Sequence, residues 1–189
     1  NLKPYTDALG IKMVHDFWSE KLARSINTKF DIITAQNVFA HVDDPQDFLD
    51  GCEIALKDDG VLIIEFAYCL NLIADNEFDT IYHEHLSYFL VNSFATLVKN
   101  TGFYIDDVLR TPIHGGSIRF YLKKKPGEND EIVNQLIAIE AEHGLFQLKT
   151  YERFRENVEK NKQELRKMIA IMRANEERVV GYCASAKGI

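Results

Sequence analysis

The chain has 189 residues, 46% of them hydrophobic and 11% aromatic, with a net charge of −7. This is enough apolar material for one ordinary domain with an appendage, and it excludes disorder as a global state. The acidic balance excludes a general nucleic-acid binder, which needs a clustered basic surface; Lys123-Lys124-Lys125 reads as the solvated end of a strand.

In chain order, Leu2 to Leu9 reads as a helix stopped by Gly10, and Ile11 to Val14 as a short strand. Ser19 is placed to cap a helix through Ile26, and Phe30 to Ala35 reads as a buried strand. Asp43-Asp44-Pro45 opens a helix with Phe48, Leu49, Cys52, Ile54 and Leu56 at helical spacing. Asp58-Asp59-Gly60 then turns the chain into the apolar run Val61 to Phe66, of the kind parallel sheets use. Further on, Ser93 reads as the cap of a helix from Phe94 to Asn100 that ends at Gly102. Phe103 to Val108 and Ser117 to Leu122 are strands on either side of the break Pro112-Ile113-His114-Gly115-Gly116.

The resulting order is a doubly wound α/β pattern that finishes in an antiparallel pair. From Asn129 the pattern becomes helical. Glu131 to His143 is one helix, and from Leu148 to Glu177 the residues Tyr151, Phe154, Val158, Leu165, Ile169 and Met172 share one face. Arg178 to Tyr182 reads as the first strand of something new. The expected organisation is a catalytic part at 1–127, a helical connector at 128–177 and the start of a further Rossmann-like domain at 178–189. The chain opens without an initiator Met, so a piece of a longer protein is expected. No apolar segment approaches the ~20 residues of a membrane span, and Asn1 begins no signal peptide. Cys52, Cys69 and Cys183 have neither disulfide-framework nor metal spacing, which points to the cytoplasm.

The densest chemistry lies in Phe78-Asp79-Thr80-Ile81-Tyr82-His83-Glu84-His85-Leu86-Ser87-Tyr88-Phe89, where imidazoles, carboxylates and phenols sit between apolar flanks. Such groups suit proton transfer near neutral pH. A polar helix-capping turn is the plainer reading of the same residues. A metal site built on His83 and His85 lacks a third ligand at a recognisable spacing, so no metal is expected. Ligands of open α/β sheets lie beyond the carboxyl ends of strands, which nominates Asp16 and Phe17 after the first strand and Gln36 and Asn37 after the next as cofactor contacts. His41, in the same turn, reads equally as a lining residue or as a helix-entry hydrogen-bonder, and Glu65 as a pocket carboxylate without an assigned role. His114-Gly115-Gly116-Ser117-Ile118-Arg119 offers backbone N–H groups, a hydroxyl and a guanidinium to an anionic or sugar ligand, through His114, Ser117 and Arg119; a plain turn explains its glycines equally well.

Four stretches together, Asn37 to Asp44, Phe78 to Phe89, His114 to Arg119 and Gly181 to Gly188, resemble the S-adenosylmethionine-dependent C-methyltransferases of nucleotide-linked deoxysugars. The resemblance implies a Rossmann-like class I methyltransferase sheet, here partial, followed by a helical arm. It further implies a 4-keto sugar substrate, with His85 the base that removes a proton α to the ketone and Glu84 and Tyr82 its essential neighbours. His83 and Tyr88 join the substrate contacts, and Ser185 and Lys187 become pyrophosphate contacts. A four-cysteine zinc domain and the glycine-rich cofactor loop of the family have no counterpart in these residues, so zinc is expected only in an amino-terminal domain. A direct Glu84–His85 pair demands irregular backbone, because on a strand Tyr82 and Glu84 share one side and His83 and His85 the other. The expected partner is a small-molecule sugar nucleotide, with no nucleic acid, no membrane, and the helical arm as a place for oligomer contacts. The rival reading is a non-catalytic α/β module that binds a sugar nucleotide or a partner protein. An O- or N-methyltransferase, which needs no carbon base, is a third.

Overall fold

The computed structural model describes residues 3–127 and 130–181. Helix α1 (Lys3–Ala8) is followed by Gly10 at φ +68, in the left-handed region that glycine adopts without cost. Residues 11–15 are irregular, with Ile11 and Val14 exposed, in place of the expected strand. A strand is held by the ladder of a neighbour, and the described residues offer this stretch none.

Helix α2 (Glu20–Ile26) begins where expected, the Ser19 hydroxyl accepting from Leu22 N–H at 3.1 Å. Strand β1 (Phe30–Gln36) follows. Helix α3 (Pro45–Ala55) starts on Asp44, whose carboxylate accepts from the amides of Gln46 and Asp47, with Pro45 in the first turn. Strand β2 (Leu56–Ala67) already begins at Leu56, earlier than the Asp58-Asp59-Gly60 turn suggested. Pairing with β1 jumps from Phe30↔Leu56 to Ile32↔Val61, so the acidic turn is accommodated as an irregularity in the ladder. A short helix α4 (Cys69–Ala74), absent from the sequence expectation, comes next. Helix α5 (Val91–Val98), strand β3 (Tyr104–Thr111), strand β4 (Ser117–Lys123), helix α6 (Asp130–Glu142) and helix α7 (Leu148–Ala174) complete the set. Ser93 lies inside α5 and bonds back to Leu90, so it is not the cap itself. Residues 178–181 are not a strand, and the remainder of that expected element lies outside the described residues.

The sheet order is β1-β2-β4-β3. β1 and β2 are parallel, while β4 inserts antiparallel between β2 and β3. One face carries the core. Leu62, Ile64 and Phe66 of β2, Ile118, Phe120 and Leu122 of β4, and Val108 of β3 pack against Leu49 and Cys52 of α3, Phe94 of α5 and Leu136 of α6. Phe66, Phe94 and Phe120 meet with ring centroids 4.3–5.6 Å apart, separations at which aromatic pairs attract beyond their area burial. The opposite face is poorly covered: Ile32 and Leu109 are exposed, and β1 is an edge strand among the described residues rather than the buried strand its composition suggests. α6, expected as the first helix of the connector, contributes Leu136 to the main core. α7 forms the expected long helix, yet buries none of its residues; Leu165, Met168 and Ile171 are exposed. Among the described residues no helix is long and apolar enough to cross a membrane.

Candidate active site

At the carboxyl end of β1 the backbone bends through Asn37, held at φ +52 with its N–H on the Glu65 carbonyl at 2.8 Å. The turn Phe39–His41 follows. Phe39 is fully buried, its ring 5.2–5.6 Å from those of Phe48, Phe89 and Phe94, and this anchors the segment. Beyond β2 and α4, a turn at Phe78–Thr80 leads into the Tyr82–His85 stretch. The Ala40 carbonyl accepts from the amides of Leu86 and Ser87, which docks that stretch against the β1 turn. The third contribution is His114, at φ +52 in the turn Ile113–Gly115 before β4.

These three segments enclose a cavity of about 200 Å³, bordered by Asn37, His41, Tyr82, His85, Tyr88 and His114 over a floor of Phe66, Ala67 and Phe89. Residues 82–85 form a tight turn, His85 N–H donating to the Tyr82 carbonyl at 3.0 Å. The irregular backbone demanded of this stretch is present. A turn brings its first and last residues to one side and directs the two corner residues away. Tyr82 and His85 therefore share the cavity, with ring centroids 4.5 Å apart, while His83 and Glu84 are exposed and do not border it. Glu84 contributes its carbonyl, bonded to His41 Nδ1 at 2.8 Å. The atom that orients His85 is the Thr80 carbonyl, 2.9 Å from Nδ1.

A carbonyl oxygen only accepts, so both Nδ1 atoms carry the proton, and Nε2 is the basic nitrogen of each neutral ring. The His41 and His85 centroids are 4.8 Å apart. Burial raises the Tyr88 phenol above its ordinary pKa, so Tyr88 is a neutral hydrogen-bond donor at physiological pH.

The other nominated residues divide. Asn37, Tyr88 and His114 border the cavity. Ser117 is buried with its hydroxyl on the Ile113 carbonyl at 2.9 Å, where it locks the turn that presents His114. Arg119 stands opposite Glu65 in the β2–β4 ladder and donates to it through Nε and Nη2 at 2.9 and 2.8 Å. Its pKa is raised further by hydrogen bonds to Tyr121 and Glu65. Both are thus engaged away from the cavity, and Glu65 is a structural partner. Gly115 and Gly116 do not form an open anion cradle. Both have positive φ, and a Cβ would run into Glu77 at the first and Asn71 at the second.

Gln36 is exposed at the end of β1. Phe17 borders a second, larger cleft of about 550 Å³ with Trp18, Val38, Val42 and Asp43, and His41 borders both spaces. Asp16 accepts from Phe17 N–H at 2.8 Å and does not border that cleft. Ser185 and Lys187 lie outside the described residues. His41, not among the nominated cofactor contacts, is a cavity residue, and its sequence signal is its position just past the carboxyl end of a strand. Among the described residues no group of three His, Cys, Asp or Glu side chains is arranged to hold a metal.

An open sheet with a reversed strand inserted beside β2, and polar side chains gathered around a cavity beyond the carboxyl ends of β1 and β2, defines an α/β protein whose cavity lies at the rim where ligands of such sheets bind. The chain belongs to the methyltransferases: residues 6–108, more than half of it, match the methyltransferase domain family, and residues 112–189 match the C-methyltransferase C-terminal domain. The C-methyltransferase NovU of Streptomyces niveus is 28% identical over 193 residues, covering 100% of this chain and 46% of that protein. The chain thus spans less than half the length of this curated relative. Among solved structures, an S-adenosylmethionine-dependent methyltransferase from Clostridium acetobutylicum ATCC 824 overlaps 64% of this chain and 68% of its own at 12% identity and a TM-score of 0.46. A structure solved for the conversion of a disulfide bond into a thioacetal group during echinomycin biosynthesis overlaps 75% of this chain and 67% of its own, at 12% identity and a TM-score of 0.48.

Proposed function

We propose that this chain carries the base and substrate cavity of an S-adenosylmethionine-dependent C-methyltransferase acting on a nucleotide-linked 4-keto-deoxysugar. The observation that carries the reading is the Thr80 carbonyl on His85 Nδ1 at 2.9 Å, which leaves Nε2 as the basic nitrogen of a ring bordering the cavity beside Tyr82. Methylation at carbon requires removal of a proton α to a carbonyl, and an imidazole is the side chain whose ordinary pKa suits that task. His85 Nε2 takes the proton, the C–H electron pair moves into the enolate, and Tyr82 donates to the developing oxyanion, while the Tyr88 hydroxyl donates to the Thr80 carbonyl at 3.4 Å and borders the cavity beside it. Glu84 orients His41 through its carbonyl.

The larger cleft fits the cofactor by its chemistry: Phe17, Val38 and Val42 offer an apolar wall to a flat base, and Asp43 an acidic group to hydroxyls or positive charge. When bound there, the cofactor supplies an electrophilic methyl group. We extend the reading to the organisation of the chain, with 1–127 catalytic, 128–177 connecting, and 178–189 opening a domain that holds the nucleotide. The family match at 112–189 supports that reading.

The test is His85→Asn in the full-length natural protein. Transfer of labelled methyl should fall by about 10²- to 10⁴-fold, the range for a lost general base, while S-adenosylhomocysteine still binds. Normal turnover in the variant would remove His85 from the role. An O- or N-methyltransferase would also tolerate the change, since neither needs a carbon base.

A further inference from the structure

Glu140 has no part in the chemistry above. Its side chain on α6 is 0% exposed, and an isolated buried carboxylate is costly unless donors surround it. Three do. Oε1 accepts from the Tyr68 hydroxyl at 2.8 Å and from Val91 N–H, and Oε2 accepts from Asn92 N–H at 3.1 Å.

Val91 and Asn92 are the first two residues of α5, whose amides have no intrahelical acceptor, and the N-cap residue Leu90 has no side-chain oxygen to offer. Glu140 supplies the missing cap from another helix, and its charge also suits the positive end of α5.

The position of this cap ties it to the cavity. The His85 turn runs through Tyr88 and Phe89 directly into Val91, so the start of α5 is where the catalytic stretch ends. Phe89 is bridged to Tyr68, with Cys69 N–H on the Phe89 carbonyl at 3.2 Å. Tyr68 directly follows Ala67 at the end of β2, and Ala67 and Phe89 both border the cavity. The two segments that leave the cavity floor therefore converge on one carboxylate. A well-packed leucine would fill the same space without the desolvation cost, but only a directional acceptor sets the spacing of the two segments.

We infer that Glu140 is a positioning residue for the reaction: its carboxylate holds the β2 rim and the His85 stretch at their working separation. The inference rests on the proposed role of His85, but its structural half does not.

The test uses Glu140→Gln in the full-length natural protein. The amide keeps the volume but cannot accept from both helix amides and the phenol, because its nitrogen is only a donor. Amide hydrogen exchange at Val91 and Asn92 should accelerate. Turnover, counted per S-adenosylhomocysteine-binding site, should fall about tenfold or more, as expected when a reacting group is displaced by a fraction of an ångström. Affinity for S-adenosylhomocysteine should stay the same, because the Phe17–Val38 cleft does not involve Glu140. A purely structural role would reduce binding sites and turnover together and leave turnover per site normal; that result overturns the inference. So does unchanged exchange.

If Glu140→Gln does not fold, Tyr68→Phe carries the test by removing one of the three bonds. Turnover per site should fall several-fold, and a normal value overturns the inference. The two ideas fail separately. Active His85→Asn with accelerated exchange in Glu140→Gln sinks the reaction, whereas inactive His85→Asn beside fully active Glu140→Gln sinks the positioning role alone.

Discussion

Replacing Arg119 by Met removes the partner of a carboxylate that has little other access to water. In the Glu65–Arg119 pair the glutamate side chain is 3% exposed and the arginine 24%, and two guanidinium nitrogens meet the same Oε2. Truncating one member of a buried pair costs about 3–5 kcal/mol, because the charge left behind is uncompensated. The arginine end reaches solvent, so water entering its place would hydrate Glu65 in part, and a loss near 3 kcal/mol is expected. The converse change, Glu65→Gln, leaves the more exposed partner and keeps a carbonyl acceptor. It should cost about 1 kcal/mol, the scale of one weakened hydrogen bond. The double variant Glu65→Leu with Arg119→Met removes both charges and should lie within about 1 kcal/mol of the parent. Urea unfolding followed by circular dichroism compares the three variants with the parent. A cost under about 1 kcal/mol for Arg119→Met, a larger loss for Glu65→Gln, or a double variant as unstable as the two single changes summed would refute this account of the pair.

Other consequences are more local. Gly116→Ala should destabilise by at least ~2 kcal/mol, because φ is +145 and the new Cβ would meet Asn71, and thermal unfolding measures it. His114 lies two residues away, so turnover per folded molecule should fall as well. Cys52 is pushed up to about 12 and Cys69 to about 11, in both cases by burial. At pH 8 both are thiols and should resist iodoacetamide in the native protein, becoming labelled only in urea; mass spectrometry of the labelled peptides would show native reaction at either site if this is wrong.

The parts of the fold that were legible in the sequence are those specified by neighbours along the chain. Ser19 and Asp44 cap the helices they precede, because a side-chain oxygen reaches amides two or three residues on. The apolar run of β2 and the alternation in β4 gave the right elements for the same local reason. Ile11 to Val14 misled because apolar composition without a partner does not make a strand. Phe30 to Ala35 made its strand, but how deeply it is buried depends on what pairs beyond it. Arg119 looked like a ligand because a guanidinium after two glycines is chemically suited to anions. The cross-strand register, which no local pattern reports, gave it to Glu65 instead.

The Tyr82–His85 stretch separates the two kinds of information. Residue types alone marked it as proton-transfer chemistry and required that its backbone be irregular, since strand alternation cannot pair neighbouring side chains. Which groups meet was decided by the fold. The turn put Tyr82 with His85 and left His83 and Glu84 outside, the Thr80 carbonyl selected the basic nitrogen, and His41, 44 positions upstream, came into ring contact through the end of β1. Composition and spacing determine what chemistry a chain can offer. Only long-range packing, here the docking of that turn on the Ala40 carbonyl and of α5 on Glu140, determines which of those groups face one another.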